Sequence, residues 1–376
     1  MSLRGIIEQE IRERGPIPFS RYMELCLYHP ELGYYSRHAE QFGRVGDFYT
    51  SSDVHAVFGR LLARQFEEMW RVLGKPGQME ILELGPGRGL FAQDVLDWSE
   101  KKVPDFFSAL RYSMAEQSPE LRARIERTLS RHLKSGKAAL AAFAMRGLPR
   151  EVPLIVFANE FFDAFPVEVL SAHGSLRISA ENGRFVETWV PPSAAELEFL
   201  DRYSVHPEPR ERLEVALAAQ AFVSEIASTI HIGFLAVIDY GCTREEQLAG
   251  RHRGTLKAIR QHSVSASPYE APGEQDITAD VNFSSLAISL QQAGMDVQSL
   301  RTQSQFLMGI GETNQFADAF EECRLPQERA KVALQLKHLV TPAGMGENFH
   351  VMIASRGMAK EAGANLAGLS FGLRSR

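Results

Sequence analysis

Along this chain, short continuous apolar runs alternate with stretches where apolar residues recur every three or four positions. The runs at 81–84, 110–115, 154–158 and 233–239 have the length and composition of strands buried in a parallel sheet. After the first run, Leu90, Phe91, Val95 and Leu96 recur at helical spacing, and 121–129 does the same after the second. Strand and helix signals in alternation predict an α/β fold with helices covering a mostly parallel sheet. Ahead of that region, residues 1–75 read as mostly helical, most clearly over 19–28 and 55–72, with a loop rich in glycine, aromatics and charge at 33–52. The alternation stops near 166. Residues 167–189 then read as short antiparallel strands around Glu181-Asn182-Gly183, followed by an insertion with Pro191-Pro192 and a helix near 211–230. A polar, loop-rich segment is expected over 241–280 and a helix over 283–293. The last strands fall at 297–304 and 349–355, the final one antiparallel.

These elements imply a segmental organisation. Residues 1–75 form an N-terminal helical or lid region, 76–166 the first part of the core, and 167–232 an insertion. Residues 233–360 form the second part of the core, and 361–376 a tail. The N-terminal helices and the insertions are expected to build a smaller domain. At 376 residues and 44% hydrophobic, the chain can bury a full core, with a length that suggests about two domains.

Charge and cysteine usage narrow the function classes. Forty-one basic against 47 acidic residues leave a net charge of −6, which disfavours a nucleic-acid partner. Cys26, Cys242 and Cys323 lie far apart and the histidines form no helical pair at metal spacing, so neither a disulfide framework nor a metal site is expected. The apolar runs are too short for a membrane span. The first fourteen residues are charged and amphipathic, unlike a secretory signal, so a cytoplasmic location is expected.

The candidate chemistry begins at residues 81–89, Ile-Leu-Glu-Leu-Gly-Pro-Gly-Arg-Gly. A strand that turns into a helix through Gly85, Gly87 and Gly89 lets a ligand lie against backbone atoms. The dinucleotide fingerprint needs its third glycine at position 90, which is leucine. The spacing fits instead the acid-x-G-x-G-x-G loop of methyltransferases that use S-adenosylmethionine, with Glu83 as the acid. About thirty residues on, the second strand ends in Glu116-Gln117-Ser118-Pro119. A carboxylate at that tip can accept both ribose hydroxyls, while Ser118 and Pro119 suit a helix start. The third strand ends in Asn159-Glu160-Phe161-Phe162-Asp163-Ala164-Phe165-Pro166. Two carboxylates in one loop, Glu160 and Asp163, suit a guanidinium, which binds carboxylates in a bidentate fork. The three phenylalanines are expected in the core. Asp239 either lines the mouth of the site or caps the following turn, and the 251–260 basic cluster reads as a solvated face.

Taken together, the motifs at 46–51, 83–89, 116–119, 159–166, 239–241, 273–280 and 344–347 resemble the MidA family of methyltransferases over nearly the whole chain. Two positions depart from the family pattern: Asp53, where proline or glutamate is usual, and Asn282, where aspartate is common. The resemblance implies a Rossmann-like methyltransferase with a seven-stranded, mostly parallel sheet and S-adenosylmethionine as cofactor. It places Glu83, Gly85, Pro86, Gly87, Gly89, Glu116, Gln117, Asn159, Asp47 and Thr50 on the cofactor side, and Glu160 and Asp163 on the catalytic side. It also implies an arginine-bearing protein substrate, a subunit of respiratory complex I, with a homodimer as one assembly. A small-molecule amine methyltransferase and a cofactor-binding assembly factor with little turnover stay open as alternatives.

Overall fold

The computed structural model describes residues 2–37, 56–141, 152–260, 263–265, 267–321 and 323–371. They divide into two compact units, each assembled from separated stretches of chain. No helix among the described residues is long and apolar enough to cross a membrane.

One unit comprises Tyr49–Glu160, Ser224–Asp239 and Leu290–Arg376. Its sheet is built from β1 (Met79–Leu84), β2 (Leu110–Ala115), β3 (Ala138–Ala141), β4 (Leu154–Asn159), β5 (Gly233–Cys242), β6 (Asp296–Val297), β7 (Arg301–Thr302) and β8 (Phe349–Arg356). The strand order is β6-β8-β5-β4-β1-β2-β3, with β7 beside β8 off that path, so the sheet carries more than the expected seven strands. β1 to β5 pair in parallel, and β8 is antiparallel to β6 and β7. The expected strand at 297–304 is instead two short pairings, after which Gln303–Glu312 is a helix capped by Thr302. Thr302 and Gln305 form a capping box, which turns the chain into a helix where apolar content alone suggests a strand.

β1 is buried at every position although it carries two acids. Glu80 and Glu83 are three residues apart and so point to opposite faces. Each is met by β2: the Ser113 hydroxyl donates to Glu80, and the Tyr112 hydroxyl donates to Glu83 Oε2 at 2.8 Å. Without those partners a buried carboxylate would be costly. The helices Ala56–Val72 and Leu90–Lys102 pack closely; a Cβ at Gly59 would stand 2.5 Å from Cβ of Asp94. Phe58, Phe66, Phe91 and Phe157 fill the space beneath, with Phe91 stacked on Phe157 of β4 at 4.6 Å. That stack fixes the helix which follows the glycine loop onto the strand beside it.

The other unit comprises Met1–Phe48, Phe161–Val223 and Tyr240–Ser289. Its main sheet is antiparallel. Gly174–Glu181 and Arg184–Val190 form a hairpin about Asn182 and Gly183, both at positive φ (50° and 73°), which suits a tight two-residue turn. Glu168–Ser171 pairs with the start of Gly174–Glu181 and leads on to Arg212–Val215, and Ile17–Pro18 pairs with the same strand at Arg177 and Ile178. The helices Leu3–Arg14 and Phe19–Tyr28 cover it through Leu3, Ile7, Phe19, Tyr22 and Met23. The helix expected near 211–230 begins only at Leu217, because 212–215 pairs as a strand. A further helix, Ala194–Tyr203, starts at a Ser193–Glu196 capping box within the insertion.

Candidate functional site

Register sets the geometry of the cofactor face. Leu84 stands opposite both Ala115 and Ala158, Ala115 opposite Ala141, and Asn159 opposite Ile238. The carboxyl ends of β1, β2 and β4 therefore finish level, and β5 runs on past them to Cys242. The chain runs outward from β1 to β2 and β3 on one side, and from β4 to β5 on the other, so the order reverses between β1 and β4. In open α/β sheets a ligand binds outside the strand ends at such a reversal.

Gly85, Gly87 and Gly89 follow the β1 tip with φ of 65°, 53° and 75°, values that side-chain-bearing residues adopt at a cost. The Gly85 N–H donates to Ala115 O and the Gly89 N–H to Pro86 O, which fastens the loop to β2 and starts the helix at Leu90. Packing separates the roles of two of these glycines. A Cβ at Gly89 would meet Leu129 at 3.2 Å, whereas one at Gly87 would meet nothing within 4 Å among the described residues.

Around this loop stand the acids. Glu83 is only 5% exposed; burial pushes its carboxyl up to about 8, the Tyr112 hydrogen bond pulls it down, and the charge of Glu116 raises it further. Glu116 is half-buried at the β2 tip and accepts the Ser118 N–H at 2.9 Å. Burial raises it to about 7 against those backbone donors. Ser118 caps the next helix, accepting from Leu121 N–H, and Gln117 is exposed beside it. Arg122 donates to the carbonyls of Glu116 and Ala141, which ties the β2 and β3 tips together. At the β4 tip, Asn159 donates through Nδ2 to Glu160 Oε1 at 3.2 Å. Its buried Oδ1 has no hydrogen-bond partner among the described residues. Glu160 holds a left-handed backbone (φ 48°) with its N–H bonded to Ile238 O. Asp239, wholly buried, ends the β5 segment of this unit. The open glycine, the unpaired Asn159 oxygen and the adjacent carboxylates fit a polar nucleoside cofactor with a cationic end.

Asp163 lies in the other unit, on the turn Phe162–Ala164, and is 7% exposed. The Tyr240 hydroxyl donates to its Oδ2, and the Ala279 N–H donates to its carbonyl at 3.0 Å. Burial pushes its carboxyl up to about 6; Tyr240 and the Ala164 N–H lower it, and Asp280 raises it. The two loop carboxylates thus have unlike surroundings, Glu160 half-exposed and Asp163 enclosed. Of the three phenylalanines expected in the core, Phe162 is buried, while Phe161 and Phe165 are half-exposed against Phe222. Asp47 and Thr50 lie outside the described residues, as do positions 46–53 as a whole.

Sequence reasoning passed over Tyr112 and gave Tyr240, within the 239–241 motif, no role. Tyr112 was accessible: it pairs with Ile81, so Glu83 two residues on shares its face. Tyr240 carries no such signal, because its partner is far away in sequence. The 251–260 cluster divides among partners: Arg253 with Glu211, His252 with Asp280, Arg260 with Glu274. Asp97, Glu100 and His132 also come within reach of one another, with Arg131 ion-paired to both acids.

A glycine turn at the reversal point of an open α/β sheet, with acids on the neighbouring tips, defines the class of nucleoside-cofactor transferases. Within it, the chain belongs to the family described as "Putative S-adenosyl-L-methionine-dependent methyltransferase", whose pattern matches residues 61–301. It is a MidA-like methyltransferase, and its cofactor is S-adenosylmethionine. The chain is similar to the mitochondrial protein arginine methyltransferase NDUFAF7 of Danio rerio, 30% identical over 91% of this chain and 84% of that one. The Drosophila melanogaster homolog of that enzyme is 33% identical over 75% and 68%. A superfamily member from Burkholderia thailandensis, crystallised bound to S-adenosyl-homocysteine, has a TM-score of 0.83 at 29% identity and covers 98% of this chain and 94% of its own.

Proposed function

We propose that this methyltransferase acts on arginine side chains of a protein, a subunit of respiratory complex I. The observation that carries the reading is the similarity, across nine-tenths of the chain, to a relative named as a protein arginine methyltransferase. The carboxylates at Glu160 and Asp163 support it, since a guanidinium is the side-chain group best matched to acids.

S-adenosylmethionine, when bound, supplies an electrophilic methyl on a positively charged sulfur. The chain's task is then to hold and align. The backbone of Gly85, Gly87 and Gly89 admits a close neighbour. Glu83 would meet the cationic amino end, Glu116 would accept ribose hydroxyls in exchange for its own backbone donor, and Asn159 would offer its Oδ1. A guanidinium would pair with a carboxylate such as Asp163, which would localise its charge so that one nitrogen gains electron density. The proton which that nitrogen gives up passes to a carboxylate or to water; a carboxyl poised near 6 is suited to accept it. Alignment of this kind is worth up to roughly 7–11 kcal/mol in favourable cases.

The test is product identification. Purified protein, isotope-labelled S-adenosylmethionine and complex I subunits are incubated, and labelled residues are located by mass spectrometry. Label on arginine is the expected result. Label only on a small amine would replace the protein acceptor with a metabolite, and cofactor binding with no transfer would leave an assembly factor.

A further inference from the structure

Asp163 is the acid on which the arginine reading leans most, and its surroundings assign a role to a residue outside that reading. The Tyr240 hydroxyl donates to Asp163 Oδ2. The turn that carries Asp163 is held by other bonds: Ala279 N–H to Asp163 O at 3.0 Å, and Tyr28 OH to Ala164 O at 2.9 Å. Those two bonds fasten the turn's backbone, and the Tyr240 hydroxyl meets the Asp163 carboxylate itself. Among the described residues of the same unit, Asp280 acts on this acid, and Tyr35 lies near both it and Asp276. Asp276 accepts from Tyr35 OH at 3.0 Å, and Asp280 pairs with His252 Nδ1 at 2.8 Å. The Lys257 ammonium stands 5.9 Å from the centre of the Tyr240 ring. Nearby carboxylates would drive Asp163 towards its neutral form, and a donor to the charged form opposes them.

We infer that Tyr240 is a positioning residue for methyl transfer: its hydroxyl aims the Asp163 carboxylate and keeps it charged for the cationic acceptor. This rests on the arginine reading, in which Asp163 meets a guanidinium. A phenylalanine at 240 keeps the ring and removes only the donor. Asp163 then protonates at higher pH, so the acid limb of the reaction moves up.

The experiment uses the full chain with aspartate carboxyls labelled with ¹³C, and Asp163→Asn to assign the resonance. Wild type and Tyr240→Phe are titrated by NMR, and single-turnover methylation of an arginine peptide is followed across the same pH range. A titration of S-adenosylmethionine confirms that both proteins are folded. Tyr240→Phe is expected to move the Asp163 resonance and the acid limb upward together, by about one pH unit. If wild type methylates arginine and the acid limb of the variant does not move, Tyr240 is structural and the inference is overturned. If wild type leaves arginine unmethylated, the arginine reading fails separately. The NMR shift then decides the hold of Tyr240 on Asp163: movement supports it and a fixed resonance overturns it.

Discussion

Glu83 shows how one residue serves both fold and site. It is an acid inside a fully buried strand, and burial raises its carboxyl to about 8 despite the Tyr112 hydroxyl. Because folding raises this value, the folded chain holds the proton more tightly than the unfolded one. The associated stability is present below the ordinary carboxylate range and is lost as pH rises towards about 8. Glu83→Gln should flatten that dependence. Calorimetric melting at pH 5 and pH 8 reads it, and equal losses in both proteins would contradict the account. The same protonation makes binding of a cationic cofactor end release a proton, so S-adenosylmethionine should bind more tightly as pH rises from 6 to 8 in wild type, and less steeply in Glu83→Gln, where Glu116 near 7 still titrates. Glu116 acts on one scale only. Glu116→Ala should weaken cofactor binding by about 1.5–3 kcal/mol, the worth of hydrogen bonds to a charged group, while the melting temperature scarcely changes. A folded variant with wild-type affinity would reduce Glu116 to a brace for its own turn at Ser118.

At the scale of elements, the glycine loop separates packing from ligand space. Gly87→Val should abolish S-adenosylmethionine binding by filling the open side of the loop, in a chain that still folds. Gly89→Val should lower the melting temperature as well, since its Cβ has Leu129 at 3.2 Å. Titration calorimetry with thermal melts distinguishes them; retained affinity in folded Gly87→Val would remove the loop from the site. Elements were legible where local chemistry dictates them. The apolar runs became β1, β2, β4 and β5, and Asn182-Gly183 became the hairpin turn because both residues tolerate positive φ. They were illegible where pairing decides. Residues 212–215 continue a helical-looking segment but pair with Glu168–Ser171, and tertiary pairing overrides weak propensity. The Ser193–Glu196 box was a readable start signal for the helix Ala194–Tyr203.

For the molecule as a whole, sequence order hides how the units are assembled. Ile17 pairs with Ile178, so stretches far apart in the chain share one unit. No local periodicity encodes such pairings. The strand tips at Gly85, Glu116 and Asn159 were legible because each follows an apolar run. The surroundings of Asp163 were not, since Tyr240 and Asp280 reach it only through the fold. The central claim joins both sides: a methyl donor held by the strand tips and a guanidinium held by acids. It is tested most directly by single-turnover methylation of an arginine peptide from a complex I subunit, using wild type, Glu160→Gln and Asp163→Asn, with S-adenosylmethionine affinity measured on the same samples. The account predicts that wild type methylates arginine, and that both variants bind the cofactor normally but transfer methyl roughly ten- to a hundredfold more slowly. Full activity in both variants, or no methylated arginine with wild type, would contradict it.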